Sequence, residues 1–486
     1  MSKEERGSEN SFRNILKGTS IFGSVQVFNI LIAAIRLKFV AIILGPAGMG
    51  VAGLFNSVSL TIQQFASLGL NMSIVREIGA SKENEQQLGH VMAAVRPLAI
   101  ATALIGSLIC LLFPGILSDI TFGSRNQSTA FLLLAAAVFF SITGAAMMSV
   151  LQGLHEVKRL SKASLIGSSV GLLVGVPLYW LWGTEGIVPA MVVLALATCL
   201  WYYISLRKSL SSSPAAWDKE VHLPILKRVL LMGLVLMSND LFKNLVNYLI
   251  FIYVRKTGGM DEVGFYQSCN TMTSQYSAIV FTAMAMDYLP RLSSAANDNK
   301  KLGMIVNRQI EVVGFIVAPI VCAVIFLAPW VIQILQTKAF MAATPLLRML
   351  ALAVAVRGIM YPLGYIVFAK DNRRLFFWME SVGANILTLT LTCLGYHFFG
   401  LAGLGIAAIA DCLICLAVYI IVNNHLYDYR LSSRAALITT ASLTSAAAMT
   451  AICFCLDGIW MFLTGATLLL AVGIISAKSL LKLWRS

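Results

Sequence analysis

The chain has 486 residues, of which 58% are hydrophobic and only 12% charged. A soluble domain carries roughly 25% charged residues, so there is too little charge here to cover a water-facing exterior, and lipid must solvate most of the surface. The net charge of +14 does not point to nucleic acid, because the basic residues sit in short gaps between apolar runs and not on a polar face.

The N-terminal MSKEERGSENSFRNILKG is a charged tail with no cleavage site, so the apolar stretch behind it reads as a retained first span. Runs of about 20 apolar residues, the length that crosses ~30 Å of hydrocarbon, fall near 19–44, 51–76, 91–118, 129–152, 163–183 and 187–206. Residues 207–228, charged and containing Ser-Ser-Ser-Pro, read as a cytoplasmic linker. Further runs lie near 229–254, 264–288, 308–328, 345–369, 375–396 and 401–423, with two more near 435–456 and 459–478. The expected fold is an all-α polytopic membrane protein with about 14 transmembrane helices. It divides into an N-lobe over 1–206, a C-lobe over 229–423 and a C-terminal pair of spans within 424–486. With the N-terminus inside, inner loops and tails hold 27 of the 36 Lys and Arg. Outer positions hold five, namely Arg125, Arg255, Lys256, Lys338 and Arg348. This bias orients both termini to the cytoplasm.

A shift of 211 positions lays Gly48-Met49 on Gly259-Met260 and Gly53 on Gly264. Asn56 then meets Gln267, Gln64 meets Gln275 and Asn29 meets Asp240. After a further slip of four, Glu156-Val-Lys-Arg-Leu160 meets Asp371-Asn-Arg-Arg-Leu375. Matches in the same order and at nearly the same spacing imply a parallel repeat of two pseudo-symmetric six-helix lobes.

An ionisable side chain at the bilayer centre costs roughly 2.5–3.5 kcal/mol and normally faces a cavity or a partner. The cations within spans are Arg36, Lys38, Lys243 and Arg357, which read as an anion-binding set in a cationic cavity. Gln26, Asn29, Asn56, Gln63, Asn244, Asn247, Gln267 and Asn270 form polar stripes that either line that cavity or bond helix to helix. Asp240 and Asp411 are candidates for ion coupling. Asp240 can instead pair with Lys243, and Asp411, with no basic residue near it in sequence, can be a neutral packing acid. Cys412-x-x-Cys415 sits in an apolar run without a second ligand pair and reads as two small hydrophobes. No histidine pair is spaced for metal, and no Walker motif, phosphate loop or Ser/His/Asp set occurs. Neither metal, cofactor nor catalytic residue is expected, and an ATPase is excluded within this chain.

Two stretches carry a family resemblance. The first lobe reads FVAIILGPAGMGVAGLFNSVSLTIQQFASLGL and VLQGLHEVKRLSKASLIGSSVGL, and the second echoes it with YPLGYIVFAKDNRRLFFWMESVGANI. The Leu-Gly-Pro-x-x-x-Gly turn and the Leu-Gln-Gly-x-x-x-x-Lys-Arg loop resemble polysaccharide flippases of the Wzx type, in the multidrug/oligosaccharidyl-lipid/polysaccharide exporter (MOP) superfamily. The resemblance covers the first twelve spans. It implies a MATE-like two-lobed bundle in a bacterial inner membrane. Such a bundle moves an undecaprenyl-diphosphate-linked O-antigen-like unit outward by alternating access, coupled to an ion or proton gradient. The partners it implies are the lipid-linked oligosaccharide, membrane lipid and polymerase or glycosyltransferase machinery. The rival expectation is a cation-coupled multidrug exporter of the same fold, which would need acidic cavity residues to dominate.

Overall fold

The computed structural model describes the backbone of residues 3–209 and 218–485. Their side chains are described except at 3–26, 234–236, 276, 279–280, 282–283, 285–287, 373 and 483–485. Among the described residues every regular element is helical, and the protein is an all-α, multi-pass membrane protein.

The chain forms two compact units, Met1–Ile252 and Tyr253–Ser486. The first holds α1 (Lys3–Ser67), α2 (Leu70–Ser81), α3 (Glu85–Leu112), α4 (Pro114–Phe122), α5 (Ser128–Gly153), α6 (Val157–Trp182), α7 (Ile187–Ser209) and most of α8 (Lys219–Gly258). The second holds α9 (Met260–Ser294), α10 (Asn299–Leu335), α11 (Thr344–Ala369) and the short α12 (Arg373–Phe376). A π-helical turn over Phe377–Gly383 leads from α12 into α13 (Ala384–Tyr427), and α14 (Ser433–Cys455) and α15 (Gly458–Arg485) complete the unit.

Nine stretches among the described residues are long and apolar enough to cross a membrane, or ten with the bent α8. Three of the nine, Val27–Ser67, Val157–Ser209 and Arg374–Tyr427, run for 41, 53 and 54 residues, at least double the ~20 that a bilayer needs. Each is interrupted by a glycine with positive φ, at Gly45, Gly183 and Gly400, and so is long enough for two spans. With α8 and the less apolar α9, the segments are compatible with the fourteen runs in the sequence.

These glycines also express the repeat in backbone geometry. Gly45 (φ 65°, ψ −167°) has its counterpart in Gly259 (φ 92°, ψ −177°), and Gly183 (φ 57°, ψ −132°) in Gly400 (φ 57°, ψ −140°). His155 and Asp371, both left-handed, end α5 and α11 with matching hydrogen bonds. His155 N donates to Gln152 O and Glu156 N to Leu151 O, while Asp371 N donates to Phe368 O and Asn372 N to Val367 O. Gly45 corresponds to Gly259, not Gly48 as the 211 shift has it. The difference is three residues, close to the 3.6 of one helical turn, so a match of polar stripes cannot resolve it.

α8 up to Ile252, which the sequence reading divides between linker and C-lobe, packs inside the first unit. Val229 is buried in the apolar cluster that holds Leu70, Ile74 and Val95. Arg228 reaches Glu77 of α2 at 3.6 Å, and Tyr248 shares a 2.6 Å hydrogen bond with Thr121 of α4. At Gly69 (φ +67°) the break between α1 and α2 lies directly on Gly233 of α8, where a Cβ would come 2.1 Å from the Gly233 carbonyl oxygen.

In the second unit α14 is fastened to α10 and α11 by polar groups. Asn307 donates to the carbonyls of Gly303 (2.9 Å) and Arg430 (3.0 Å). Its own oxygen accepts from the Tyr429 hydroxyl (3.0 Å) and the Ser432 amide (2.9 Å). Both donors and both acceptor positions of the amide are used. Burial pushes the Tyr429 phenol well above its ordinary value, which keeps it a donor. Glu311, only 8% exposed, pairs with Arg434 at 3.2 Å. Arg348 lies in the second turn of α11, 8% exposed, and donates to Ile325 O (3.3 Å) and Cys453 O (2.8 Å). It is a buried clamp between helices.

Candidate functional site: polar groups within the spans

In the first unit the polar residues of α1 are placed by α6. The Asn29 amide donates to the Ser164 hydroxyl at 2.9 Å, and its own oxygen is buried without a partner. Arg36 is half-buried and within electrostatic reach of the Tyr179 phenol. Lys38 is half-buried. Beyond the Gly45 break, Asn56 is exposed although Gly53, Leu54, Phe55, Ser57, Val58 and Ser59 around it are buried. Gln63 donates to Ser59 Oγ at 2.8 Å, an intrahelical bond. The side chain of Gln26 lies outside the described residues.

On α8, Asp240 and Lys243 are exposed and Asn244 and Asn247 half-buried. Asp240 and Lys243 make no ion pair among the described residues. The Asn244 carbonyl accepts from Thr61 at 3.3 Å, which joins this stripe to α1.

The second unit gathers its charges more tightly. Arg357 is exposed, yet Ala353 to Val356 before it and Gly358 and Ile359 after it are all buried. An exposed guanidinium on a membrane-spanning helix is costly unless something polar faces it. Its charge acts on Tyr266 of α9 and on Asp411 and Cys412 of α13. Gln267, next to Tyr266, and Asn270 are half-buried on the same helix. Asp411 accepts from Thr388 at Oδ2 (3.1 Å), while its Oδ1 is buried with no donor. The sequence shows no basic residue near Asp411; the fold supplies Arg357 from a different helix.

Some polar contacts escape sequence reasoning. Tyr396 donates to Glu262 at 2.5 Å, Tyr419 donates to Glu380 in the π-helical turn, and Glu311 finds Arg434. The signal for Glu380 is legible afterwards: a π turn inserts a residue into a helix and is often kept where a side chain must be aimed.

Each unit thus carries cations and neutral hydrogen-bonding groups within its apolar helices. Residues 39–345, more than half of the chain, match the profile of a family described as polysaccharide biosynthesis protein. The chain belongs to that family. The chain is similar to the lipid III flippase of Escherichia coli (strain K12), at 22% identity over 356 residues, 71% of this chain and 82% of that protein. Its fold is similar to that of the lipid II flippase MurJ in an inward closed conformation. There the TM-score is 0.68 at 14% identity, over 96% of this chain and 99% of that one. It is also similar to an inward-facing multidrug resistance MATE family transporter of the MOP superfamily. That match has a TM-score of 0.67 at 15% identity, over 87% of this chain and 99% of that one. At such identities the solved structures establish the fold alone.

Proposed function

We propose that this protein is a transporter, not an enzyme, and that it flips a polyprenyl-diphosphate-linked oligosaccharide across a bacterial inner membrane. Its direction is from the cytoplasmic to the periplasmic leaflet, by alternating access, with both termini cytoplasmic. The observation that carries the reading is Arg357, an exposed guanidinium on an otherwise buried stretch of α11. A diphosphate cannot enter hydrocarbon without fixed positive charge beside it. Arg357 supplies that charge in the second unit, and Arg36, Lys38 and Lys243 supply it in the first. The amides of Asn56, Asn244, Asn247, Gln267 and Asn270 suit sugar hydroxyls. Similarity to a lipid III flippase supports the same cargo class, and an O-antigen-like repeat unit is the form we favour.

In cells that depend on this chain, Arg36→Ala with Arg357→Ala should abolish surface glycan while the protein still inserts at normal level, as read by immunoblot of membranes and by glycan staining. Full display from the double variant would refute the assignment. A cation-coupled drug exporter of the same fold would give the opposite pattern, because removing cavity cations should spare or improve export of a cationic dye.

A further inference from the structure

The C-terminal half of α11 is open along one face only. Arg357, Tyr361, Gly364, Tyr365 and Phe368 are exposed or half-buried, and the residues at 358–359, 362–363 and 366–367 between them are all buried. The spacing i, i+4, i+7, i+8, i+11 is a single helical stripe. Towards the N-terminus the same stripe is closed, because Leu346, Leu350 and Ala353 are buried. The open face therefore begins at Arg357 and runs to the end of α11 that the proposed orientation puts in the cytoplasm. Lipid asks for aliphatic side chains on such a face; this one carries an arginine and two tyrosines.

The tyrosines are held in place by α9. Tyr361 donates to Phe281 O (3.3 Å), and its hydroxyl lies 2.8 Å from that of Tyr365. Each phenol has one proton. With Tyr361 committed to the carbonyl, Tyr365 donates to Tyr361 and its own oxygen keeps accepting lone pairs. The Tyr361 ring is stacked on Phe281 (centroids 4.8 Å apart, planes at 15°), and Tyr365 stands edge-on to Tyr288 (6.0 Å) and Phe368 (6.2 Å). Glu380, from the π-helical turn, lies over Gly364, where a Cβ would come 3.3 Å from its Oε1, and the same carboxyl accepts from Tyr419.

We propose that Tyr361, Tyr365 and Phe368 form a track for the first sugar rings of the lipid-linked cargo, with Glu380 as an acceptor at its side. Arg357, at the head of the stripe, holds the diphosphate. The inference rests on the flippase reading and deepens it by naming the groups that meet the glycan. A pyranose presents C–H bonds across its faces and hydroxyls around its rim. The C–H bonds carry partial positive charge and suit the negative face of an aromatic ring, while the hydroxyls suit the Tyr365 oxygen and the Glu380 carboxyl. Tyr365 and Phe368 lie about 12 and 17 Å along the axis from Arg357, at 1.5 Å per residue, which leaves room for more than one ring beyond the phosphates. Because the aromatic column is already packed, little ordering is lost when a sugar arrives. These contacts ask for a pyranose and not for one particular sugar.

The test is equilibrium binding, to the purified full-length protein in detergent, of two short-chain polyprenyl diphosphates that differ only at the far phosphate. One is esterified with N-acetylglucosamine and the other with methanol. Both are diesters of the same charge, so Arg357 does not distinguish them, and the native protein should prefer the sugar-bearing one. Phe368→Ala removes a ring at an exposed position, and Tyr365→Phe removes a hydroxyl but keeps the packed ring. Each should weaken binding of the sugar-bearing lipid by roughly 2- to 10-fold, the size of one ring contact or one neutral hydrogen bond, and leave the methyl diester within about twofold. A parallel fall for both ligands would make these residues mere supports of the helix. An unchanged preference in both variants, or a native protein without any preference, would leave no sugar on the track. Each of these results overturns the proposal. Arg357→Ala should weaken both ligands alike. If it weakens neither, the headgroup reading itself fails; if it weakens both while Phe368→Ala and Tyr365→Phe leave the preference untouched, only the sugar track fails.

Discussion

Arg348 and Arg357 lie on the same helix about two and a half turns apart, which sets them on opposite faces. That half-turn decides their work. Arg348 is buried and donates to carbonyls of α10 and α14, whereas Arg357 is exposed. Arg348→Ala should therefore destabilise the protein by about 1–3 kcal/mol, the cost of leaving buried hydrogen-bonding groups unmet, seen as a lower melting temperature in detergent. Arg357→Ala should leave melting within ~0.5 kcal/mol of native, as for substitutions that disturb no packing, and remove transport. An equal loss of stability in both variants would contradict the distinction. Hydropathy does not distinguish Arg348 from Arg357, since burial is set by what the other helices bring to each face, and it does not show that Arg357 acts on Asp411 from a different helix. What was legible was the rarity of charge within spans, which singled out Arg36, Lys243, Arg357, Asp240 and Asp411 without saying what faces them.

The turns carry information at the scale of elements. His155 and Asp371 occupy left-handed conformations at equivalent helix ends, where a side chain is tolerated but glycine is at ease. His155→Gly or Asp371→Gly should cost nothing and can stabilise by up to about 1 kcal/mol, measured as a melting shift; a clear loss would mean that the side chain holds the turn. Gly69 and Gly233 predict the reverse. Their backbones are so close that alanine at either must push a carbonyl aside, so each should lower folded yield and melting temperature, more than the roughly 0.5 kcal/mol of an ordinary surface change. Helical runs were readable from hydropathy because each must fill the bilayer. Their breaks were less so, since Gly45, Gly183 and Gly400 differ from other glycines only in conformation. The 211-residue shift erred by nearly one turn at Gly45 for the same reason: helical faces repeat every 3.6 residues, and only the turn fixes the frame.

For the molecule as a whole, composition alone required a membrane solvent, and the repeat was visible before any coordinates. Which helices pack together was not. α8 follows the linker and belongs by sequence order to the second lobe, yet Val229, Arg228 and Tyr248 bind it to the first unit up to Ile252. Burial partners are long-range facts that hydropathy runs do not encode. In the function we propose, fixed cations within the spans carry a diphosphate headgroup past hydrocarbon. The most direct test of that claim is translocation of a fluorescent polyprenyl diphosphate oligosaccharide in vesicles that contain only the purified protein, with reagent access to the far leaflet as readout. The native protein should move the lipid faster than empty vesicles do, and the Arg36→Ala, Arg357→Ala double variant should fall to the empty-vesicle rate. Translocation by the double variant at the native rate would contradict the claim.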